Sequence, residues 1–181
     1  MDKKIPKPAA RWQRWLREAA LFLSLLLGVQ LWQTRDVPGG PAPPFHGPLA
    51  KGGEISLDVW RAQYPGQAVL LYFWADWCPV CKMVAGSVDA ITRDQPVLSI
   101  ALQSGAADRV AQTLAEHRHD WLTVADEDGL ITARYGFKGV PAFVVVDAAG
   151  NIRFAEAGYT SEKGLRLRLW WATYFGAPAK I

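Results

Sequence analysis

The sequence predicts an α/β fold: a central mixed sheet with helices on both faces, preceded by one N-terminal transmembrane helix. Three observations carry that reading. Apolar runs alternate with helical patterns over residues 49–181, the signal of strand–helix–strand units. One run, Val69-Leu-Leu-Tyr-Phe-Trp-Ala75, is long and continuous enough for a central strand buried on both faces. Lys3, Lys4, Lys7, Arg11, Arg14 and Arg17 precede an uncharged apolar stretch at 19–34, the pattern of a membrane-inserted segment with its N-terminus in the cytoplasm.

Composition bounds the function classes. The chain has 181 residues, 50% hydrophobic and 12% aromatic, enough for one packed domain with a segment left over. Its formal charge of +3 sits in the tail. Residues 1–35 hold seven Lys/Arg against Asp2 and Glu18, whereas residues 36–181 hold thirteen against fifteen acidic residues. The domain therefore shows no nucleic-acid footprint. Two cysteines, three positions apart, exclude both a disulfide-stapled mini-protein and a four-cysteine zinc site. No phosphate-binding glycine pattern follows a strand, so no organic cofactor is implied.

In chain order, residues 1–18 read as a basic cytoplasmic tail and 19–34 as the anchor. The anchor's 16 uncharged residues span ~24 Å as a helix, short of a ~30 Å bilayer core. Trp12, Trp15 and Trp32 stand where interfacial aromatics belong, and Arg17 and Arg35 are placed to snorkel. A cleaved signal peptide competes with this reading, although no small-x-small site directly follows Trp32. Residues 35–48, with five prolines and three glycines among 37–48, read as a semi-rigid linker. The folded domain is expected over 49–181.

Within it, strands are expected at 69–75, 97–102, 122–125, 142–146 and 152–157, the last two closing a hairpin through Asp147-Ala-Ala-Gly-Asn151. Helices are expected at 79–93, with Pro79 in the first turn, at 108–118, and at 130–135, ended by Gly136. Residues 161–175 are ambiguous: Leu165, Leu167 and Leu169 alternate as in a strand, while Leu165, Leu169 and Ala172 share a helix face. Helix is favoured.

The chemistry centres on Trp77-Cys78-Pro79-Val80-Cys81-Lys82, between the central strand and its helix. Cys78 would stand at the helix N-terminus, where unpaired N–H groups and the positive dipole end stabilise a thiolate, the attacking species in disulfide exchange. Cys81, one turn on, would resolve the mixed disulfide. As a structural staple the pair is poor, since a four-residue loop is worth only roughly 2 kcal/mol. Two soft thiolates also suit Cu(I), so a membrane-tethered Cu(I)-binding module is the competing class. Trp77 reads as a rim contact for partners. His117 and His119 do not share a helix face, so they do not read as a metal pair.

Leu70-Leu-Tyr-Phe-Trp-Ala-Asp-Trp-Cys-Pro-Val-Cys-Lys-Met-Val-Ala85 resembles the thioredoxin active-site segment nearly position by position. Gly139-Val-Pro-Ala142 resembles the loop carrying that superfamily's cis-proline. The layout as a whole is similar to the TlpA-like branch and, within it, to the suppressor-of-copper-sensitivity D family. The tail Gly158-Tyr-Thr-Ser161 and Leu165-Arg-Leu-Arg-Leu-Trp-Trp-Ala172 carries the finer likeness. The resemblance implies a thioredoxin-like three-layer sandwich and thiol–disulfide exchange with protein disulfide or dithiol substrates. It also implies a periplasmic domain on a single-pass inner-membrane anchor, a transmembrane thiol reductase as electron donor, and a link to copper tolerance. By the same resemblance Pro141 would be cis against Cys78, leaving the Val140 backbone to pair with a substrate strand.

Three departures leave the direction of electron flow open. Tyr72 stands where thioredoxins bury an aspartate, Pro-Val lies between the cysteines, and Gly86 replaces a helix-kinking proline. Tyrosine is a poor base near neutral pH, so the Cys81 proton needs another acceptor or water; Glu54, Asp76 and Glu127 are acids at hand.

Overall fold

The structure, a computed structural model, describes residues 11–176. The chain divides into two compact units at Trp32/Gln33. Helix α1 runs Arg11–Thr34, 24 residues, all but its last two in the first unit. Among the described residues no helix is long and apolar enough to cross a membrane. The physical reason is the one visible in the sequence: the uncharged stretch falls ~6 Å short of a bilayer core.

In the second unit the elements follow in the order β1 (Gly40–Pro41), β2 (His46–Pro48), β3 (Glu54–Ser56), α2 (Leu57–Arg61), β4 (Val69–Trp74), α3 (Pro79–Ile91), β5 (Val97–Leu102), α4 (Ala107–Glu116), β6 (Thr123–Asp126), α5 (Leu130–Arg134), β7 (Ala142–Val146), β8 (Asn151–Ala157) and α6 (Glu162–Phe175). Six strands form a mixed sheet in the order β1-β8-β7-β4-β5-β6, and β2 and β3 make a separate antiparallel hairpin. Strand β4 is central, parallel to β5 and antiparallel to β7.

The continuous apolar character of β4 follows from that position. Leu70, Tyr72 and Trp74 pack towards Val84, Val88 and Ile91 of α3, Val110 and Leu114 of α4, and Leu165 and Leu169 of α6. Val69, Leu71 and Phe73 face the other way, onto Leu57 and Trp60 of α2, Ile131 of α5, and Tyr135 and Phe137. Each buried large side chain contributes about 1.5–3 kcal/mol, so a strand with six buried positions contributes to both cores at once.

Residues 40–48 differ from expectation, because they belong to the fold rather than to a linker. β1 pairs with β8 at the sheet edge, where proline's missing N–H removes no ladder bond. Phe45 is buried edge-on against Tyr135, at 6.2 Å between ring centroids. Tyr135 Oη donates to the Pro43 carbonyl at 2.9 Å, and Arg134 donates to that of Pro44 at 3.3 Å. Other boundaries move by one or two residues. α4 begins at Ala107 with Ala106 at its cap, and Asp108 sits in the first turn. The ambiguous C-terminal segment is helix α6.

Candidate functional site

The apolar run of β4 ends at Trp74, and Ala75-Asp76-Trp77 turns the chain into α3. The Asp76 N–H donates to Ser104 Oγ at 3.1 Å and the Cys78 N–H to the Ala75 carbonyl at 3.3 Å, which fixes the turn. Cys78 is then the N-cap of α3, in extended conformation, with Pro79 directly after it. Its Sγ accepts the Cys81 N–H at 3.1 Å. Capping by sulfur in place of a hydroxyl, at the positive end of a 13-residue helix, favours negative charge on that atom. Cys78 and Cys81 are joined as a disulfide, with their Cα atoms 5.3 Å apart.

Pairing of β7 with β4 brings the second part of the site. The register sets Phe73, at the end of β4, opposite Ala142, at the start of β7, so the residues before β7 lie beside the residues after β4. Val140–Pro141 is a cis peptide, and the Val140 carbonyl oxygen lies 3.4 Å from Cys78 Sγ. The Gly158 N–H donates to the Pro141 carbonyl at 2.8 Å, which sets exposed Tyr159 next to this loop. Trp77 is exposed, its Nε1 donating to the Gln103 carbonyl at 3.3 Å. Val80 and Met83 add further exposed apolar surface from the first turns of α3. The five residues singled out in the sequence, Trp77, Cys78, Cys81, Val140 and Pro141, thus share one end of the sheet.

Behind Cys81 lies a cleft of about 280 Å³, lined among others by Tyr72, Asp76, Lys82, His117, His119 and Trp121. Tyr72 stacks on Phe143 at 5.0 Å and meets Trp121 edge-on at 5.6 Å. Burial, with a smaller contribution from the Asp89 charge, pushes its phenol well above the ordinary value of 10.0. Its Oη donates to the Cys81 carbonyl at 3.5 Å, so Tyr72 is a neutral donor here and not a base. Of the acids considered from sequence, Asp76 lines the cleft, whereas Glu54 pairs with His46 at 3.1 Å on the β2–β3 hairpin and Glu127 is exposed after β6. Sequence reasoning weighed His119 only as a metal ligand and did not single out Asp89; their side chains meet at 2.9 Å. Thirty positions separate them and no periodicity pairs them; the sole sequence cue is a histidine just past a helix end. Among the described residues no group of three or more His, Cys, Asp or Glu is placed to hold a metal.

Comparison with known proteins agrees with this geometry. Residues 38–155 match the AhpC/TSA family. A thioredoxin-like protein of Haemophilus influenzae is 32% identical over 127 residues, 70% of this chain and 74% of that protein. The thiol:disulfide interchange protein DsbE of Allochromatium vinosum is 31% identical over 145 residues, 77% of this chain and 78% of that protein. Among solved structures, a putative DsbE from Chlorobium tepidum superposes with a TM-score of 0.63 at 23% identity, over 76% of this chain and 99% of that one, a likeness of fold. A secreted Mycobacterium tuberculosis disulfide oxidoreductase superposes with a TM-score of 0.58 at 25% identity, over 70% and 94%. Helices on both faces of a mixed sheet, a cysteine pair opening the helix after its central strand, and relatives that are interchange proteins agree: the chain belongs to the AhpC/TSA family, as a thioredoxin-like thiol–disulfide oxidoreductase.

Proposed function

We propose that the chain is a membrane-anchored periplasmic enzyme that exchanges disulfides with proteins through Cys78 and Cys81, with Trp77, Val140 and Pro141 forming the surface that receives the substrate. The observation that carries this reading is the placement of Cys78. Its sulfur caps α3, accepts a backbone N–H and lies 3.4 Å from the Val140 carbonyl, at the edge of a loop able to pair with an extended segment.

In the reducing direction the Cys78 thiolate attacks a substrate disulfide, and Cys81 then displaces the substrate sulfur and closes the Cys78–Cys81 bond. In the oxidising direction a substrate thiolate attacks the Cys78–Cys81 bond and Cys81 leaves. The anchor is supported by the basic residues before 19–34 and by Trp12 and Trp15 on α1. A transmembrane thiol reductase as electron donor and a role in copper tolerance are carried by the family resemblance alone.

The test is insulin reduction and oxidative refolding by the full chain. Cys78→Ser is expected to abolish both, and Cys81→Ser to accumulate a mixed disulfide visible on a non-reducing gel. Full exchange activity in Cys78→Ser would overturn the reading. The reduction potential of the pair assigns the physiological direction: about −270 mV for a reductant and about −120 mV for an oxidant.

A further inference from the structure

Resolution of the mixed disulfide requires Cys81, 3% exposed, to lose a proton. Tyr72, the residue directly beneath it, donates a hydrogen bond to the Cys81 carbonyl and is locked neutral by burial. Cys81 and His119 both line the cleft of about 280 Å³, room for several water molecules at ~30 Å³ each.

The histidine is held in one tautomer. Asp89 Oδ1 accepts the Trp121 Nε1–H at 2.7 Å and lies 2.9 Å from His119 Nδ1. An ionised carboxylate only accepts, so Nδ1 carries the hydrogen and Nε2 keeps its lone pair. The imidazole also stacks on the Trp121 indole at 4.0 Å and 12°, which fixes the ring plane. His119 follows Arg118, whose φ of +59° turns the chain back from the end of α4 towards α3. Carboxylate, oriented imidazole and unengaged nitrogen make up the arrangement of a general base.

We infer that the His119–Asp89 pair accepts the Cys81 proton through water in this cleft, with His119 as the acceptor and Asp89 as the residue that positions it. The inference rests on the exchange chemistry proposed above. In the resolving step the Cys81 Sγ–H proton passes by way of water to His119 Nε2, and the Cys81 sulfur lone pair forms the bond to Cys78 Sγ. The bond between Cys78 and the substrate breaks, its electron pair leaving on the substrate sulfur, which takes a proton from solvent. In reverse, a substrate thiolate attacks Cys78 and Cys81 leaves as a thiolate that recovers the proton from the imidazolium. Besides Asp89, the groups facing the acceptor are Lys82 on α3, Asp76 in the turn before it, His117 at the end of α4 and Tyr72 on β4.

The test separates the two cysteines in time. Reduced full-length protein is mixed with excess dithiobis(nitrobenzoate), and thionitrobenzoate release is followed by stopped flow. Cys78 gives the first, bimolecular phase, and attack by Cys81 gives the second, unimolecular phase. The second phase of the wild type is expected to carry a limb that rises with pH, because a base accepts the proton. His119→Gln is expected to lose that limb and to slow the second phase at pH 7 by about tenfold or more, with the first phase unchanged. Asp89→Asn, which retains an acceptor for Trp121, is expected to slow the second phase and not the first, because the imidazole is then no longer held in one tautomer. A His119→Gln second phase within twofold of wild type over the whole range would overturn the inference, as would loss of the limb in His117→Gln instead. An unchanged first phase reports an intact fold. Absence of the first phase in the wild type would sink the exchange reading itself, a result distinct from failure of the relay.

Discussion

Tyr72 separates two roles that a buried acid would combine beneath the cysteines. Its ring is fully enclosed between Phe143 and Trp121, so ionisation is opposed chiefly by desolvation and then by Asp89. Tyr135 is raised likewise by burial, with Arg61 opposing and Asp58 reinforcing. Both groups hold their proton more tightly folded than unfolded. Their contribution to stability is therefore complete below the unfolded value of about 10 and is lost as pH rises through the folded value. The urea midpoint should fall above about pH 10, and Tyr72→Phe should fall less steeply. The same variant should keep exchange at pH 7 within about twofold, since the lost 3.5 Å bond to the Cys81 carbonyl is weak and carries no proton. A tenfold loss of rate would return an acid–base role to Tyr72.

Among the elements, α6 shows how packing settles what periodicity leaves open. Ser161 caps it, accepting the Gly164 N–H at 3.2 Å, and Leu165, Leu169 and Ala172 press onto the sheet. Leu167, the residue that made a strand plausible, is 64% exposed. Leu169→Ala should cost about 2–5 kcal/mol and Leu167→Ala no more than about 0.5, by denaturant titration. Equal losses would contradict the helix orientation. Ser161→Ala should cost about 1 kcal/mol. Arg166 ties this helix to the end of α3, donating to both Asp94 carboxylate oxygens and to the Ala90 carbonyl. Being half exposed, that link counts for less than the leucines beneath it.

For the whole molecule, division at Trp32/Gln33 separates all but the last two residues of α1 from a domain with two cores of its own. Removal of residues 1–32 is expected to leave the thermal midpoint and insulin reduction unchanged, while alkaline carbonate should leave the full chain in the membrane pellet and release the truncated one. Recovery of a chain beginning after Trp32 from the soluble periplasm would replace the anchor with a cleaved signal. The sequence by itself determined the features that repeat locally. These are the central strand, since a strand covered on both faces must be apolar throughout; the cysteine pair at the head of α3, since Pro79 and the end of the apolar run mark that boundary; and the basic and apolar N-terminus. Only the tertiary structure decided which distant residues meet. Val140 reaches Cys78 because β7 pairs antiparallel with β4. Residues 40–48 join the fold because β8 offers an edge that accepts a proline. Asp89 meets His119 because α3 and α4 cover the same face of the sheet. Periodicity tells each residue which face it occupies, but only strand order and helix packing choose its neighbour there.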